Sequence, residues 1–143
     1  MKIQIVTIGK PKLHYASIGW NEYMWRLMKL QQLTIKHLPD KYAVDTMKLL
    51  AETNGTYRVA MVTDGEQKTS RELALFLRRR QLAAKPVSFI VGGPEGLPNE
   101  LIHACDYRLG LSKLTFPHDL AMVVLMEALY RASTINAGIP YHK

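Results

Sequence analysis

The sequence predicts an α/β protein with a mostly parallel sheet and helices on both of its faces. Strand-like segments alternate with amphipathic segments, and every connection is long enough to cross between parallel strands. Val87–Val91 holds four apolar residues in five, which is typical of a strand covered on both faces. The 143 residues, 48% of them apolar, suffice for the core of one domain, which we predict to span residues 1–143.

The first quarter of the chain is predicted to form a strand, a long helix and a second strand. Strand one, Lys2–Ile8, becomes apolar toward its end and stops at Gly9-Lys10-Pro11. Apolar and aromatic residues at helical spacing predict an amphipathic helix over residues 14–30. Alternating apolar and polar residues over 33–38 predict the second strand.

The middle of the chain is predicted to continue with helix, strand and helix. A helix over residues 45–53 ends at Asn54-Gly55. A third strand covers residues 57–63, and Asp64-Gly65-Glu66 is predicted to turn out of it. Thr69 followed by Glu72 has the capping-box pattern, which predicts a helix to about Gln81.

The last third is predicted to hold the remaining four elements. After strand Val87–Val91, a short helix covers residues 98–105 and a fifth strand covers residues 107–111. Pro117 is placed for the first turn of a final helix, which extends to about Asn136 before Gly138.

The net charge of +7 bears on the class of partner. Residues 1–50 hold eight basic and three acidic side chains, so most of the excess lies there. Such a charge either attracts nucleic-acid phosphates or forms an ordinary solvated surface.

The longest apolar run, residues 120–126, is too short to span a bilayer, so we expect a cytoplasmic protein with no membrane partner. Cys105, the single cysteine, is interpreted as a core residue rather than a nucleophile.

Two residue clusters each allow two interpretations. Trp20, Tyr23 and Trp25 have the spacing of a helix face that packs in a core, and exposed aromatics at the same positions would form a stacking platform for bases. Arg78-Arg79-Arg80 ends a predicted helix, where positive charge suits the helix dipole and would equally suit a phosphate.

Two loops at predicted strand ends form the candidate ligand site. Gly92, Gly93 and Gly96 follow strand Val87–Val91, and their missing Cβ atoms allow backbone groups to approach a ligand closely. Residues 111–119 follow the fifth strand. In open α/β sheets ligands bind outside the carboxyl ends of strands, where both loops are expected to lie.

The final helix and the residues after it supply further candidates. Residues 121–126 are apolar all round, which favours cover by a second subunit in addition to the core. Glu127 and Arg131 are spaced for an ion pair, and Arg131 alternatively contacts a phosphate or a substrate base. Tyr141-His142-Lys143 is either an RNA-contacting tail or a frayed terminus. His118 is either a base or a hydrogen-bonding cap.

Four motifs together carry a resemblance to a known family. They are Gly92-Gly93-Pro94-Glu95-Gly96-Leu97, Leu111-Ser112-Lys113-Leu114-Thr115-Phe116-Pro117-His118, Glu127-Ala128-Leu129-Tyr130-Arg131-Ala132 and Pro140-Tyr141-His142-Lys143. In this order and spacing they resemble the RlmH family, the bacterial ribosomal RNA large-subunit methyltransferases H of the SPOUT class. With strand one and its Gly9, the resemblance covers the whole chain.

The resemblance implies a fold, a reaction and a set of partners. The expected fold is a SPOUT domain with a C-terminal trefoil knot, assembled as a homodimer. The expected reaction uses S-adenosyl-L-methionine, without a metal, to methylate N3 of a pseudouridine in 23S rRNA of the assembled 70S ribosome.

Roles for individual residues also follow from the resemblance. Cofactor contacts are expected at Thr63, Gly92, Leu111, Ser112, Lys113, Leu114, Thr115 and Phe116. A cation or a base would help the N3 proton to leave, and the candidates are Arg131, His118 and His142. Arg131, Tyr141 and His142 are the expected RNA contacts, with Tyr141 stacking on the base.

Two other functions compete with this one. A non-catalytic RNA-binding or ribosome-associated module would keep a nucleotide-like pocket without methyl transfer. A flavodoxin-like flavin or nucleotide binder would need a phosphate cradle after strand one, where the sequence has only Gly9 followed by Lys10-Pro11.

Overall fold

A computed structural model describes residues 1–143 as alternating strands and helices. The elements are β1 (Lys2–Ile8), α1 (His14–Met28), β2 (Gln32–Leu38), a 3₁₀ turn (Asp40–Tyr42), α2 (Thr46–Glu52), β3 (Tyr57–Gln67), α3 (Ser70–Leu82), β4 (Val87–Val91), α4 (Asn99–Ala104), β5 (Tyr107–Gly110) and α5 (His118–Ala137). The predicted α/β class is confirmed, because all ten predicted elements are present within a few residues of their expected bounds.

The five strands form one sheet in the order β2-β1-β4-β3-β5, and every pair is parallel. All carboxyl ends therefore lie along the same edge. β4 lies between β1 and β3, so all five of its residues are buried. Its apolar composition follows from that position, as the sequence predicts for a strand covered on both faces.

Alternating side chains divide the interior into two cores. Ile3, Ile5 and Phe89 face the larger core, which α1, α3 and α5 cover. Val6 and Ile90 face a smaller core that α2 and α4 cover. Helices therefore lie on both faces of the sheet, as expected when every parallel connection crosses over.

Two side-chain caps and one glycine set helix boundaries where the sequence predicts them. The Thr69 side chain accepts from the Glu72 N–H while the Glu72 carboxylate accepts from the Thr69 N–H, which completes the capping box of α3. Asp45 caps α2 by accepting from the Lys48 N–H at 3.0 Å. Gly138 ends α5 with φ at 71°, a left-handed conformation that glycine adopts without strain.

The turn predicted at Asp64-Gly65-Glu66 is wrong. β3 continues to Gln67, and after an irregularity its pairing with β5 resumes with Glu66 opposite Leu109. Asp-Gly is typical turn chemistry, but long-range pairing with β5 determines the outcome here. A Cβ on Gly65 would lie 2.5 Å from the Leu109 carbonyl carbon, so only glycine allows the two backbones to approach this closely. The trefoil knot stays a prediction.

The aromatic cluster is mostly structural, whereas in the arginine cluster only Arg80 has a structural contact and Arg78 and Arg79 are exposed. Trp20 is in the larger core, the Tyr23 ring lies 6.2 Å from that of Tyr130, and only Trp25 is well exposed, so the three form no common stacking platform. The Arg80 guanidinium lies 4.2 Å from the centre of the Tyr57 ring, which occupies that arginine in a cation–π contact.

None of the helices combines the length and the apolar character needed to cross a bilayer.

Candidate active site

A cavity of about 410 Å³, here called the main cavity, opens at the carboxyl edge of the sheet. Its walls are the stretch of β3 where pairing with β5 is interrupted, the carboxyl ends of β4 and β5, part of α4 and the first two turns of α5. Its lining is mostly apolar, with a few polar groups, and consists of Met61, Val62, Thr63, Asp64, Val91, Gly92, Gly93, Pro94, Gly96, Leu97, Asn99, Ile102, Leu109, Leu111, Ser112, Leu114, Thr115, Phe116, His118, Ala121 and Leu125. This volume and character are typical of small-molecule sites.

The structure brings together most of the residues expected to contact a cofactor. Eight sequence-predicted site residues line the main cavity, namely Thr63, Gly92, Leu111, Ser112, Leu114, Thr115, Phe116 and His118. Lys113 is exposed and lies outside the lining. The glycine loop and the loop after β5 are 14 residues or more apart in sequence and meet because parallel strands end at a common edge.

The glycine loop folds back on itself at the cavity wall. The Gly96 N–H donates to the Gly93 carbonyl at 2.9 Å, and Gly96 has φ at 83°. A Cβ on Gly92 would lie 2.7 Å from the Gly96 carbonyl carbon and 2.9 Å from the Leu97 nitrogen. Gly92 is therefore required for this close return of the backbone.

The loop after β5 presents apolar side chains at the cavity mouth. The Leu114 N–H donates to the Ser112 hydroxyl at 3.0 Å, which holds the loop in a local turn. The Leu114 side chain is 73% exposed, although it is a large apolar group. Leu111 and Phe116 are half-buried beside it. An apolar mouth of this kind is suited to cover by a ligand or by another protein surface.

The start of α5 joins the cavity to the loop after β1. The buried Asp119 carboxylate accepts from the Lys12 N–H at 2.8 Å and from the Leu13 N–H at 2.6 Å. Burial opposes ionisation of Asp119, but these two donors and His118 hold its pKa below the ordinary value. His118 Nδ1 lies 3.7 Å from the Asp119 carboxylate, and His118 Nε2 is buried without a hydrogen-bond partner.

The sequence analysis does not predict several of the lining residues. Asp64 is the one carboxylate in the lining. The sequence places it in a predicted turn, although it directly follows the predicted contact Thr63. Its position at a strand end was a usable signal. Asn99 and Ile102 come from α4, which lies on the face of the sheet opposite to α5. They reach the cavity because of the strand order, which no local sequence pattern predicts.

Arg131, Tyr141 and His142 form a separate cluster at the far end of α5. Arg131 Nε and Nη2 donate to Glu127 at 2.9 and 2.8 Å, and Tyr141 Oη donates to the same carboxylate at 3.1 Å. Arg131 Nη1 contacts His142 Nδ1 at 3.2 Å. Burial, followed by the charge of Glu127, raises the pKa of Tyr141 to about 12. These contacts hold Tyr141 and His142 against the helix, so this part of the tail is not frayed.

The cluster lies outside the lining of the main cavity and far from His118. Thirteen residues of α5 separate His118 from Arg131, and a helix rises about 1.5 Å per residue, which gives roughly 20 Å. Of the three candidates for assisting proton loss, only His118 therefore lies at the main cavity of its own chain.

Cys105 lies outside the main cavity, just after α4. Burial raises the pKa of its thiol to about 11, so the thiol is protonated at neutral pH. It packs beside the smaller core, as expected for a core residue.

Comparison with known proteins identifies the family. A family model described as "Predicted SPOUT methyltransferase" matches residues 1–142. The ribosomal RNA large subunit methyltransferases H of Deinococcus deserti and Clostridioides difficile are 38% and 37% identical to this chain, with full coverage of both proteins in each comparison. The chain belongs to the SPOUT methyltransferase family, in the branch of ribosomal RNA large subunit methyltransferase H.

Solved structures share the fold of this chain. A putative methylase from Neisseria gonorrhoeae has a TM-score of 0.61 at 12% identity and covers 99% of this chain and 86% of its own. A putative methyltransferase from Legionella pneumophila, solved with bound SAM, has a TM-score of 0.51 at 9% identity, covering 90% of this chain and 65% of its own. The main cavity is thus the candidate active site of a SPOUT methyltransferase.

Proposed function

We propose that the protein is an S-adenosyl-L-methionine-dependent methyltransferase that acts on N3 of a pseudouridine in 23S rRNA of the assembled 70S ribosome. The observation that carries this proposal is the meeting of the glycine loop and the loop after β5 in one cavity of about 410 Å³. The full-length relatives named ribosomal RNA large subunit methyltransferase H support the RNA substrate. A ribosomal substrate would place the reaction in the cytoplasm.

The residues of the main cavity fit the proposed cofactor. Leu111, Leu114 and Phe116 provide apolar surface for the faces of an adenine ring, and backbone groups of β3 and of the loops after β4 and β5 can bind its edge. The Asp64 carboxylate can accept hydrogen bonds from ribose hydroxyls or a cationic amine. When bound, S-adenosyl-L-methionine supplies a methyl group on a positively charged sulfur. Alignment of that group with the acceptor accounts for much of the rate in such displacements.

The protein must also assist the loss of one proton from the acceptor nitrogen. His118 borders the main cavity, and its buried Nε2 has no partner, so it is free to bind a polar group of a ligand. Arg131 remains a candidate through its positive charge, which would stabilise an anionic base. Arg131 is not among the lining residues and lies roughly 20 Å from His118 along α5, so we expect it to act on the cavity of another subunit.

A homodimer would satisfy that requirement. Ala121, Val124, Ala128 and Arg131 lie at spacings of three and four residues and are each half-buried, so α5 presents a partly uncovered stripe that ends in the arginine. A second copy packed antiparallel on this stripe, with its two-fold axis near Val124, would bring Arg131 of one copy opposite His118 of the other. The homodimer would then build each active site from both chains.

Mixed dimers test the shared site. One subunit carries Leu114→Asp, which disrupts the cofactor mouth at an exposed position, and the other carries Arg131→Ala. A purified heterodimer contains one intact composite site, so it should show about half of the wild-type methyl transfer, whereas each parent homodimer shows little. If the heterodimer is as inactive as its parents, Arg131 acts within its own chain or not at all.

Methyl transfer to ribosomes tests the proposed reaction itself. Purified protein and radiolabelled S-adenosyl-L-methionine are incubated with 70S ribosomes that lack the modification, beside protein-free 23S rRNA. Label should enter the ribosomes and be recovered at N3 of one pseudouridine. Leu114→Asp should abolish incorporation, whereas Leu82→Asp, at an equally exposed leucine on α3, should not. A protein that neither binds S-adenosyl-L-methionine in a calorimetric titration nor incorporates label would instead be a non-catalytic RNA-binding module.

A further inference from the structure

A second cavity of about 400 Å³ lies directly beside the main cavity. The loop after β1, the glycine loop after β4, the segment before α2 and the start of α5 enclose it; its lining is Ile8, Gly9, Lys12, Asp40, Ala43, Val44, Gly93, Pro94, Glu95, Gly96, His118 and Asp119. Gly93, Pro94, Gly96 and His118 line both cavities. One loop and one imidazole therefore separate the two spaces.

The second cavity occupies the place in the sheet where ligands bind in other open α/β folds. β1 connects through α1 to β2 on one side, and β4 connects through α4 to β5 on the other side. The crossovers therefore leave the neighbouring strands β1 and β4 in opposite directions. That divergence opens a crevice at the carboxyl ends of the two strands, the usual position of a ligand.

The polar groups of the second cavity are suited to a small ring that carries both N–H donors and carbonyl acceptors. The Asp40 and Glu95 carboxylates only accept hydrogen bonds, and the Lys12 ammonium only donates. His118 contributes a buried Nε2 that has no partner in the structure. Asp119 Oδ2 accepts from the Lys12 and Leu13 N–H groups and so holds the wall together, while Asp119 Oδ1 lies 3.7 Å from His118 Nδ1.

We propose that the second cavity binds the base of the RNA nucleotide that receives the methyl group. Asp40 or Glu95 accepts from a ring N–H, His118 contacts the ring edge nearest the main cavity, and Lys12 lies where the attached phosphate would pass. Pseudouridine carries one more ring N–H than uridine, so an additional carboxylate acceptor would favour it. This assignment rests on the proposed function and places the target base beside His118, next to the main cavity.

The geometry offers a matched pair of variants. Val44 and Met47 are both highly exposed apolar side chains, one turn apart, but only Val44 lines the second cavity. Val44→Trp would place an indole over the cavity mouth, whereas Met47→Trp adds the same ring nearby without covering it. Neither residue lines the main cavity, so neither change should disturb the fold or the cofactor.

Kinetics with ribosomes lacking the modification measure the effect. Val44→Trp should lower kcat/KM for ribosomes by at least about tenfold, with the affinity for S-adenosyl-L-methionine, measured by calorimetry, within about twofold of wild type. Asp40→Asn should lower kcat/KM by about fivefold through loss of one charged acceptor. Met47→Trp should behave as wild type. Equal activity of Val44→Trp and Met47→Trp would overturn the assignment, and so would a tenfold loss of cofactor affinity in Val44→Trp, because the cavity would then belong to the cofactor.

A second readout does not depend on turnover. Pseudouridine 5′-monophosphate titrated into ¹⁵N-labelled protein saturated with S-adenosylhomocysteine should shift the backbone amide signals of Gly9 and Gly93, and Val44→Trp should suppress those shifts. Shifts confined to residues outside the second cavity, or no shifts, would overturn the assignment. If wild-type protein fails to methylate ribosomes, the proposed function fails, and this titration alone decides what the second cavity binds.

Discussion

Adjacent glycines at the end of β4 provide a controlled test of the backbone geometry. Neither Gly92 nor Gly93 has a positive φ, so an alanine at either position differs only in the space around its Cβ. At Gly92 the Cβ meets backbone atoms at 2.7 and 2.9 Å, which cannot move without displacing the loop. At Gly93 its nearest neighbour is the Ile8 Cγ2 methyl at 3.4 Å.

These distances predict opposite outcomes for the two substitutions. Overpacking against a fixed backbone costs about 1–3 kcal/mol, and the loss of glycine entropy from the unfolded chain returns about 0.4–1 kcal/mol. Gly92→Ala should therefore lower the free energy of unfolding by about 1–2 kcal/mol, or roughly 3–8 °C in Tm for a chain of this length. Gly93→Ala should change Tm by no more than about 2 °C, because contact and entropy nearly cancel.

Thermal unfolding followed by circular dichroism, at equal protein concentration, measures the difference. Calorimetric titration with S-adenosyl-L-methionine should also show weaker binding by Gly92→Ala, since displacement of the Gly93–Gly96 turn alters the wall of the main cavity. If the two variants have the same Tm and the same affinity for S-adenosyl-L-methionine, the close approach of the backbone at Gly92 does not determine the shape of the main cavity.

Three further predictions concern titratable groups. Asp119→Ala should destabilise the fold by about 1–2 kcal/mol because two partly buried N–H groups lose a charged acceptor. Since the folded pKa of Asp119 is lowered, that stabilisation should be complete above about pH 4 and decline below it. Urea denaturation at several pH values should show this decline in wild type and not in the variant. Cys105, with a thiol pKa of about 11, should react with iodoacetamide at pH 7.5 about a hundredfold more slowly than a free cysteine, and rapid labelling would contradict its burial. Tyr141, with a pKa of about 12, should be absent from the tyrosines that ionise near pH 10, which the ultraviolet titration difference between wild type and Tyr141→Phe measures.

The sequence predicts the fold well because each element has a local cause. The capping box at Thr69 and Glu72 and the glycine after α5 are short-range signals, and their hydrogen bonds form as predicted. The extension of β3 through Gly65 has a long-range cause. It depends on pairing with β5 more than forty residues later, which no local pattern around Asp64-Gly65 indicates.

In the candidate site, too, the parts with a local cause are predicted and the parts with a long-range cause are not. Gly92 and the loop from Leu111 to Phe116 directly follow strands, so their convergence in the main cavity follows from a parallel sheet. Thr63 lies within β3, at the interruption of its pairing with β5, and joins them there. The second cavity requires β1 to lie beside β4, and this strand order is set by the packing of the whole chain. The distance between His118 and Arg131 follows from the length of α5, which the sequence does predict.

The most direct test of the central claim is a crystal structure of the protein with S-adenosyl-L-methionine. The cofactor should lie in the main cavity, with its adenine against Leu111, Leu114 and Phe116 and its methyl-bearing sulfur directed toward His118 and the second cavity. A cofactor bound in the crevice between β1 and β4, or one that leaves the main cavity empty, would contradict the account.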